Sequence, residues 1–144
     1  MLLETRKFIP LTKKWYAELA LWGYVWLTLD GHPPYLDLPS VGWDAYNNTG
    51  REFPAGRYRG LNMLYFEAEF RFDILRSGIL GGVVFGNLET FTEPNGNYFG
   101  PLVPGGGAGI RIKFNKNTRS NTCFDYGFGP HHSGGFADNI NEVF

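Results

Sequence analysis

The chain has 144 residues, a length that suits one domain, and a formal net charge of −1, so it carries no general basic field for nucleic acid. Its single cysteine excludes an internal disulfide and a metal site built from thiolates alone. Charged residues make up only 19% and aromatics 17%, with 20 glycines, a mixture that favours strands and turns over long helices. The longest uncharged apolar stretch, Leu19 to Leu27, is far short of the roughly 20 residues of a membrane-spanning helix. A spanning β-strand needs only about 9–11 residues, and segments of that size recur along the chain.

The dominant period is two. Leu2 to Ile9 is the first strand expected, with Glu4 and Arg6 on one side. Trp15 to Leu29 follows, with Ala17, Leu19, Leu21, Val25 and Leu27 on one face and Tyr16, Glu18, Trp22, Tyr24 and Trp26 on the other. After a long connection from Asp30 to Arg59, Asn62 to Phe72 sets Leu64, Phe66, Ala68, Phe70 and Phe72 against Met63, Tyr65, Glu67, Glu69 and Arg71. Ile79 to Leu88 is apolar on both faces. Gly107 to Phe114 alternates Ala108, Ile110, Ile112 and Phe114 with Gly107, Gly109, Arg111 and Lys113. Thr122 to Phe128 places Cys123, Asp125 and Gly127 opposite Thr122, Phe124, Tyr126 and Phe128, and Phe136 to Phe144 alternates more weakly.

Seven strands are thus expected. Short turns at Pro10–Lys13, Asp73–Ser77 and Asn115–Ser120 should alternate with longer connections at Asp30–Arg59, Glu89–Gly106 and Gly129–Gly135. Tight turns on one side and long loops on the other are the organisation of a transmembrane barrel. Alternation alone also fits a soluble sandwich or a lipocalin-like barrel that binds an apolar ligand. Two features favour the membrane. The charges of Glu67, Glu69, Arg71, Arg111, Lys113 and Asp125 lie opposite large apolar residues, as a wet lumen and a greasy exterior require. Aromatics gather near strand ends (Trp15, Tyr16, Trp26, Phe70, Phe72, Phe91, Phe128, Phe144), as in interfacial girdles.

Enzymatic motifs are not evident: no nucleophile elbow, no Ser-His-Asp pattern and no paired-carboxylate spacing. Gly105-Gly106-Gly107-Ala108-Gly109 precedes a strand and lacks the Lys-Ser/Thr ending of a phosphate loop, so it reads as loop-to-strand flexibility. His131 and His132 are adjacent and His32 is remote, which gives no metal-ligand spacing. Cys123 is expected to face the interior beside Asp125 as a small structural residue. No catalytic residue, cofactor or metal is therefore assigned.

Several segments, in order, resemble the bacterial surface-antigen domain, the C-terminal barrel of the BamA/TamA-like outer-membrane family. They are GRYRGLNMLYFEAEFRF (Gly56 to Phe72), GILGGVVFGN (Gly78 to Asn87), GAGIRIKFN (Gly107 to Asn115), FDYGFG (Phe124 to Gly129) and GGFADNINEVF (Gly134 to Phe144). The resemblance implies an all-β, antiparallel transmembrane barrel of roughly sixteen strands, of which residues 1–144 would supply about seven C-terminal ones as an open curved sheet. Two unpaired edges are prohibitive in a bilayer, so the expected partners are the missing N-terminal part of the same barrel and outer-membrane lipid. Client outer-membrane or secreted proteins would join them, with no role for nucleic acid.

The resemblance also implies specific roles. The long loop would fold back into the lumen through an Arg-Gly-aromatic signature, matched here by Gly50-Arg51-Glu52-Phe53. Arg51 and Phe53 are kept, whereas Glu52 stands in the glycine position and puts the tight turn in doubt, because glutamate does not reach positive φ freely. The expected partner of Arg51 is Glu69; Asn87 stands where the family often has an aspartate, and Glu67 or Asp125 would compensate for that lost charge. Phe136, Ile140 and the terminal Phe144 match the aromatic-ended last strand of outer-membrane chains. The function implied is protein assembly or translocation at the outer membrane through a lumenal loop and a weak strand seam, without catalysis. A soluble barrel binding an apolar ligand, or an inactive fragment, are the alternatives.

Overall fold

A computed structural model describes residues 1–12, 16–31, 33–43, 48–93, 98–113, 121–130 and 133–140. Seven strands form one antiparallel sheet in simple sequence order: β1 (Leu2–Thr12), β2 (Ala17–Leu27), β3 (Asn62–Asp73), β4 (Leu80–Phe91), β5 (Val103–Lys113), β6 (Asn121–Gly129) and β7 (Ser133–Ile140). A short 3-10 turn at Tyr35–Asp37 is the only helical element among the described residues. The fold is all-β, and every neighbouring pair is a meander hairpin.

Several strands run further than the period alone suggested, whereas β2 stops at Leu27, short of the expected Leu29. β4 runs on through Glu89 and Thr90 to Phe91, and β5 begins at Val103, so the connection between them is residues 92–102. The glycine run at 105–109 is therefore strand, a correction to its reading as a flexible approach. Pro104 is tolerated because it pairs with Leu88 of β4 and lies beyond the first residue that pairs with β6, Gly106. The link from β6 to β7 is only residues 130–132, shorter than expected. His32, His131, His132, Trp15 and Phe144 lie outside the described residues.

The two faces of the sheet invert the arrangement of a soluble protein. Phe66, Phe70, Ile110 and Phe124 are 47%, 41%, 48% and 51% exposed, whereas Glu67, Glu69, Arg111 and Asp125 on the other face are at most 3% exposed. The outer face also carries stacked Phe70 and Phe72 (5.4 Å between centroids) and Tyr126 against Phe136 (4.8 Å). The covered face is not wholly polar. Trp22 and Tyr24 of β2 pack with Ala20, Met63 and Tyr65, and Trp22 meets Tyr65 edge-on at 5.3 Å. Trp26 and Phe91 join this cluster, so they are interior packing residues and not part of an external aromatic belt.

Candidate functional site: the loop seated on the charged face

What covers the charged face is the β2–β3 connection. Its two limbs pair: Ser40 bridges Arg59, the Val41 amide donates to the Tyr58 carbonyl (3.0 Å), and the Gly60 amide donates to that of Pro39 (3.1 Å). Between the limbs, residues 50–53 form a tight turn in which the Phe53 amide donates to the Gly50 carbonyl (2.9 Å). The left-handed position of the segment is Gly50 itself (φ 62°), where a side chain would also run into Val41. A glutamate at position 52 is thus compatible with the turn, since Gly50 meets the positive-φ requirement.

Arg51 is the centre of the site. Its Nη2 donates to Glu69 Oε1 (2.5 Å) and to Glu67 Oε1, and its Nη1 donates to Asp125 Oδ2. The guanidinium lies 3.8 Å from the Phe85 ring centroid. Three strands, β3, β4 and β6, therefore converge on one loop side chain. Glu69 is shared: Arg71 Nε donates to its Oε2 (2.6 Å), and Arg111 pairs with Asp125 on the opposite flank. Glu67 has a different second partner, the Tyr65 hydroxyl. Burial works against the Arg51 charge, but Glu67, Glu69 and Asp125 outweigh it and hold its proton more firmly than in water.

The residues singled out from the sequence separate into two groups. Arg51 meets Glu69 as expected, and Glu67 and Asp125 complete its shell. Asn87 does not face the guanidinium; its amide donates to Glu52 Oε2 (3.0 Å) and to the Tyr65 hydroxyl oxygen (3.1 Å). The two positions that depart from the pattern the chain resembles, Glu52 and Asn87, are thus in contact. An aspartate at 87 would set two carboxylates against each other. Phe53 is buried edge-on to Tyr58 (5.0 Å). Phe136 is exposed on the outer face opposite Tyr126, yet with Ala137 it borders the same cleft as Gly50, Arg51 and Phe53 of the loop; Ile140 pairs opposite Thr122. Cys123 is buried on the covered face, as expected.

Sequence reasoning missed what makes room for the loop. A Cβ at Gly127 of β6 would fall 2.7–3.0 Å from the Glu52 backbone and Cβ, and one at Gly105 of β5 would run into the Glu52 carboxylate. At Gly129 it would meet the Phe53 ring at 2.7 Å. These glycines share the covered face with Arg111 and Asp125, so their two-residue spacing was the available signal. Glu89 was also missed, having been assigned to a loop; it is fully buried on β4.

The same loop reaches the last strand. Asn139 Nδ2 donates to Asn48 Oδ1 (2.9 Å), and Gly135 lies beneath the Arg51 carbonyl. Among the described residues no group of three or more His, Cys, Asp or Glu is placed to hold a metal, and no helix is long and apolar enough to cross a membrane. No family model, curated protein or solved structure matches the chain. The sheet and its seated loop therefore define the molecule on their own terms.

Proposed function

We propose that the chain is the C-terminal section of an outer-membrane β-barrel whose lumen is occupied by the loop that carries Arg51, and that it serves protein assembly or translocation, not catalysis. The observation that supports this most is the inversion of the sheet. Large aromatic and aliphatic side chains face outward, while Glu67, Glu69, Arg71, Arg111 and Asp125 are buried on the face where the loop sits. In water such an exterior is a large exposed apolar surface; in a bilayer it is the ordinary lipid-facing band. The strand lengths agree, since six of the seven strands have 9–12 residues and a crossing takes about 9–11.

The transport part of the reading rests on the resemblance and on β7. This strand pairs only with β6 among the described strands and carries Gly134 and Gly135 near its start. A weakly paired strand of that kind templates an incoming one by β-augmentation. The deciding experiment is extraction of the chain expressed with its natural upstream sequence. The protein should stay with the membrane through alkaline carbonate and urea and be released by detergent. Recovery as a detergent-free monomer would favour the soluble, ligand-binding alternative and sink the proposal. In the same full-length protein, a disulfide locking β7 to the strand that closes the barrel should abolish activity, and undiminished activity counts against the seam.

A further inference from the structure

Among the described residues the buried face does not balance its charge. Its fully buried ionisable groups include five carboxylates (Glu52, Glu67, Glu69, Glu89, Asp125) and three guanidiniums (Arg51, Arg71, Arg111), a surplus of two negative charges if all are ionised. The ion pairs assign the surplus. Glu67, Glu69 and Asp125 each contact an arginine, whereas Glu52 and Glu89 have no ion pair among the described residues. Their oxygens agree: Glu52 Oε1 and both oxygens of Glu89 are buried without a hydrogen-bond partner, as is the neighbouring Asn87 Oδ1. Ionised carboxylates in that condition are too costly to leave unrelieved.

We infer that the loop seats on the sheet only with protons on the Glu52–Glu89 pair, so that it is a pH-dependent plug released as the pair ionises. This rests on the reading of the loop as a lumenal element. The surroundings of Glu52 are Asn87 and Glu89 on β4, Tyr65 and Glu67 on β3, the glycines of β5 and β6 with Asp125 beyond, and its neighbour Arg51. Glu89 faces Gly50 of the loop, its Oε2 3.3 Å from where a Cβ on Gly50 would stand. Among the described residues Arg51 is the one cation near Glu52, and its guanidinium is committed to three other carboxylates. Burial pushes Glu52 above the ordinary carboxylate value of 4.5, against the Asn87 hydrogen bond and the Arg51 charge. The sign follows: the seated state binds more protons than the released state. Seating is therefore strongest at and below the ordinary carboxylate range and weakens as pH climbs through the raised value.

The test places a reporter thiol at Thr49, a buried loop residue, as Thr49→Cys in a Cys123→Ser background, with the protein in its bilayer. Alkylation rates are measured from pH 5 to pH 9 and divided by those of the same protein carrying Glu52→Gln and Glu89→Gln, which cancels the ionisation of the reporter itself. The ratio should rise by up to about tenfold per pH unit for each proton released. A ratio flat across the range overturns the inference. Glu89→Gln alone, a milder change, should move the rise to higher pH; no movement also counts against the pair. Arg51→Met separates the two levels of the argument. Fast labelling at every pH shows that Thr49 reports the seated loop, whereas labelling as slow as the parent overturns the lumenal reading together with this one.

Discussion

Arg51→Met removes the one loop side chain that touches three buried carboxylates while keeping a similar apolar volume. Each carboxylate is left with different support. Glu69 retains Arg71 (2.6 Å to Nε) and Asp125 retains Arg111, but Glu67 retains only the Tyr65 hydroxyl. One buried carboxylate therefore loses its only cation among the described residues, and breaking a buried pair in this way costs about 3–5 kcal/mol. Adding Glu67→Gln makes the orphan neutral, so the remaining loss should fall to the cost of missing hydrogen bonds, about 1–2 kcal/mol. The assay is equilibrium unfolding of the full-length protein in detergent micelles or lipid, comparing both single variants and the double. The coupling between the two sites should reach about 2 kcal/mol. A loss for Arg51→Met below about 1 kcal/mol would mean a solvated loop cation, and no rescue by Glu67→Gln would mean that Glu67 is not the stranded partner. Arg51→Lys should behave almost as badly as methionine, because a single ammonium does not span Glu67, Glu69 and Asp125 as the planar fork does.

Three further outcomes are expected. Gly127→Ala should displace the loop at a cost of about 1–3 kcal/mol, since the new Cβ meets Glu52 backbone, whereas Gly86→Ala, whose Cβ has only the Gly105 carbonyl at 3.9 Å, should be tolerated in the same unfolding assay. Phe66→Arg should destabilise the membrane-inserted protein by about 2–4 kcal/mol, and a neutral or solubilising effect would contradict a lipid-facing β3. Phe53→Ala should cost about 3 kcal/mol and increase protease sensitivity of the loop, because the ring packs between Tyr58 and the surface of Gly129; an unchanged digestion pattern would show that the aromatic is not an anchor.

The strands and their facing were legible because the chemical alternation of Asn62–Phe72, Gly107–Lys113 and Thr122–Phe128 is strong, and the structure keeps each on the face expected. Strand ends were less so. Pro104 and the adjacent glycines carry turn chemistry, and only the tertiary need for close approach of the loop explains glycine inside a strand. Arg51 with Glu69 was legible through a motif, while the loop residue that Asn87 meets was not. The amide's role depends on where Glu52 points, and no one-dimensional pattern relates residue 52 to residue 87. Trp26 and Phe91 were misplaced for a related reason: position near a strand end does not distinguish an outward ring from one folded inward beneath a loop.

The sheet's simple order has a consequence for any closed form. Six successive hairpin reversals leave β1 and β7 running in the same direction. Joining them directly, or circling two copies about a shared axis, would make every new junction a parallel one. A ring with only antiparallel neighbours requires an odd number of additional strands, so the direction of β1 and β7 fixes the parity of any set of strands that would complete the proposed barrel.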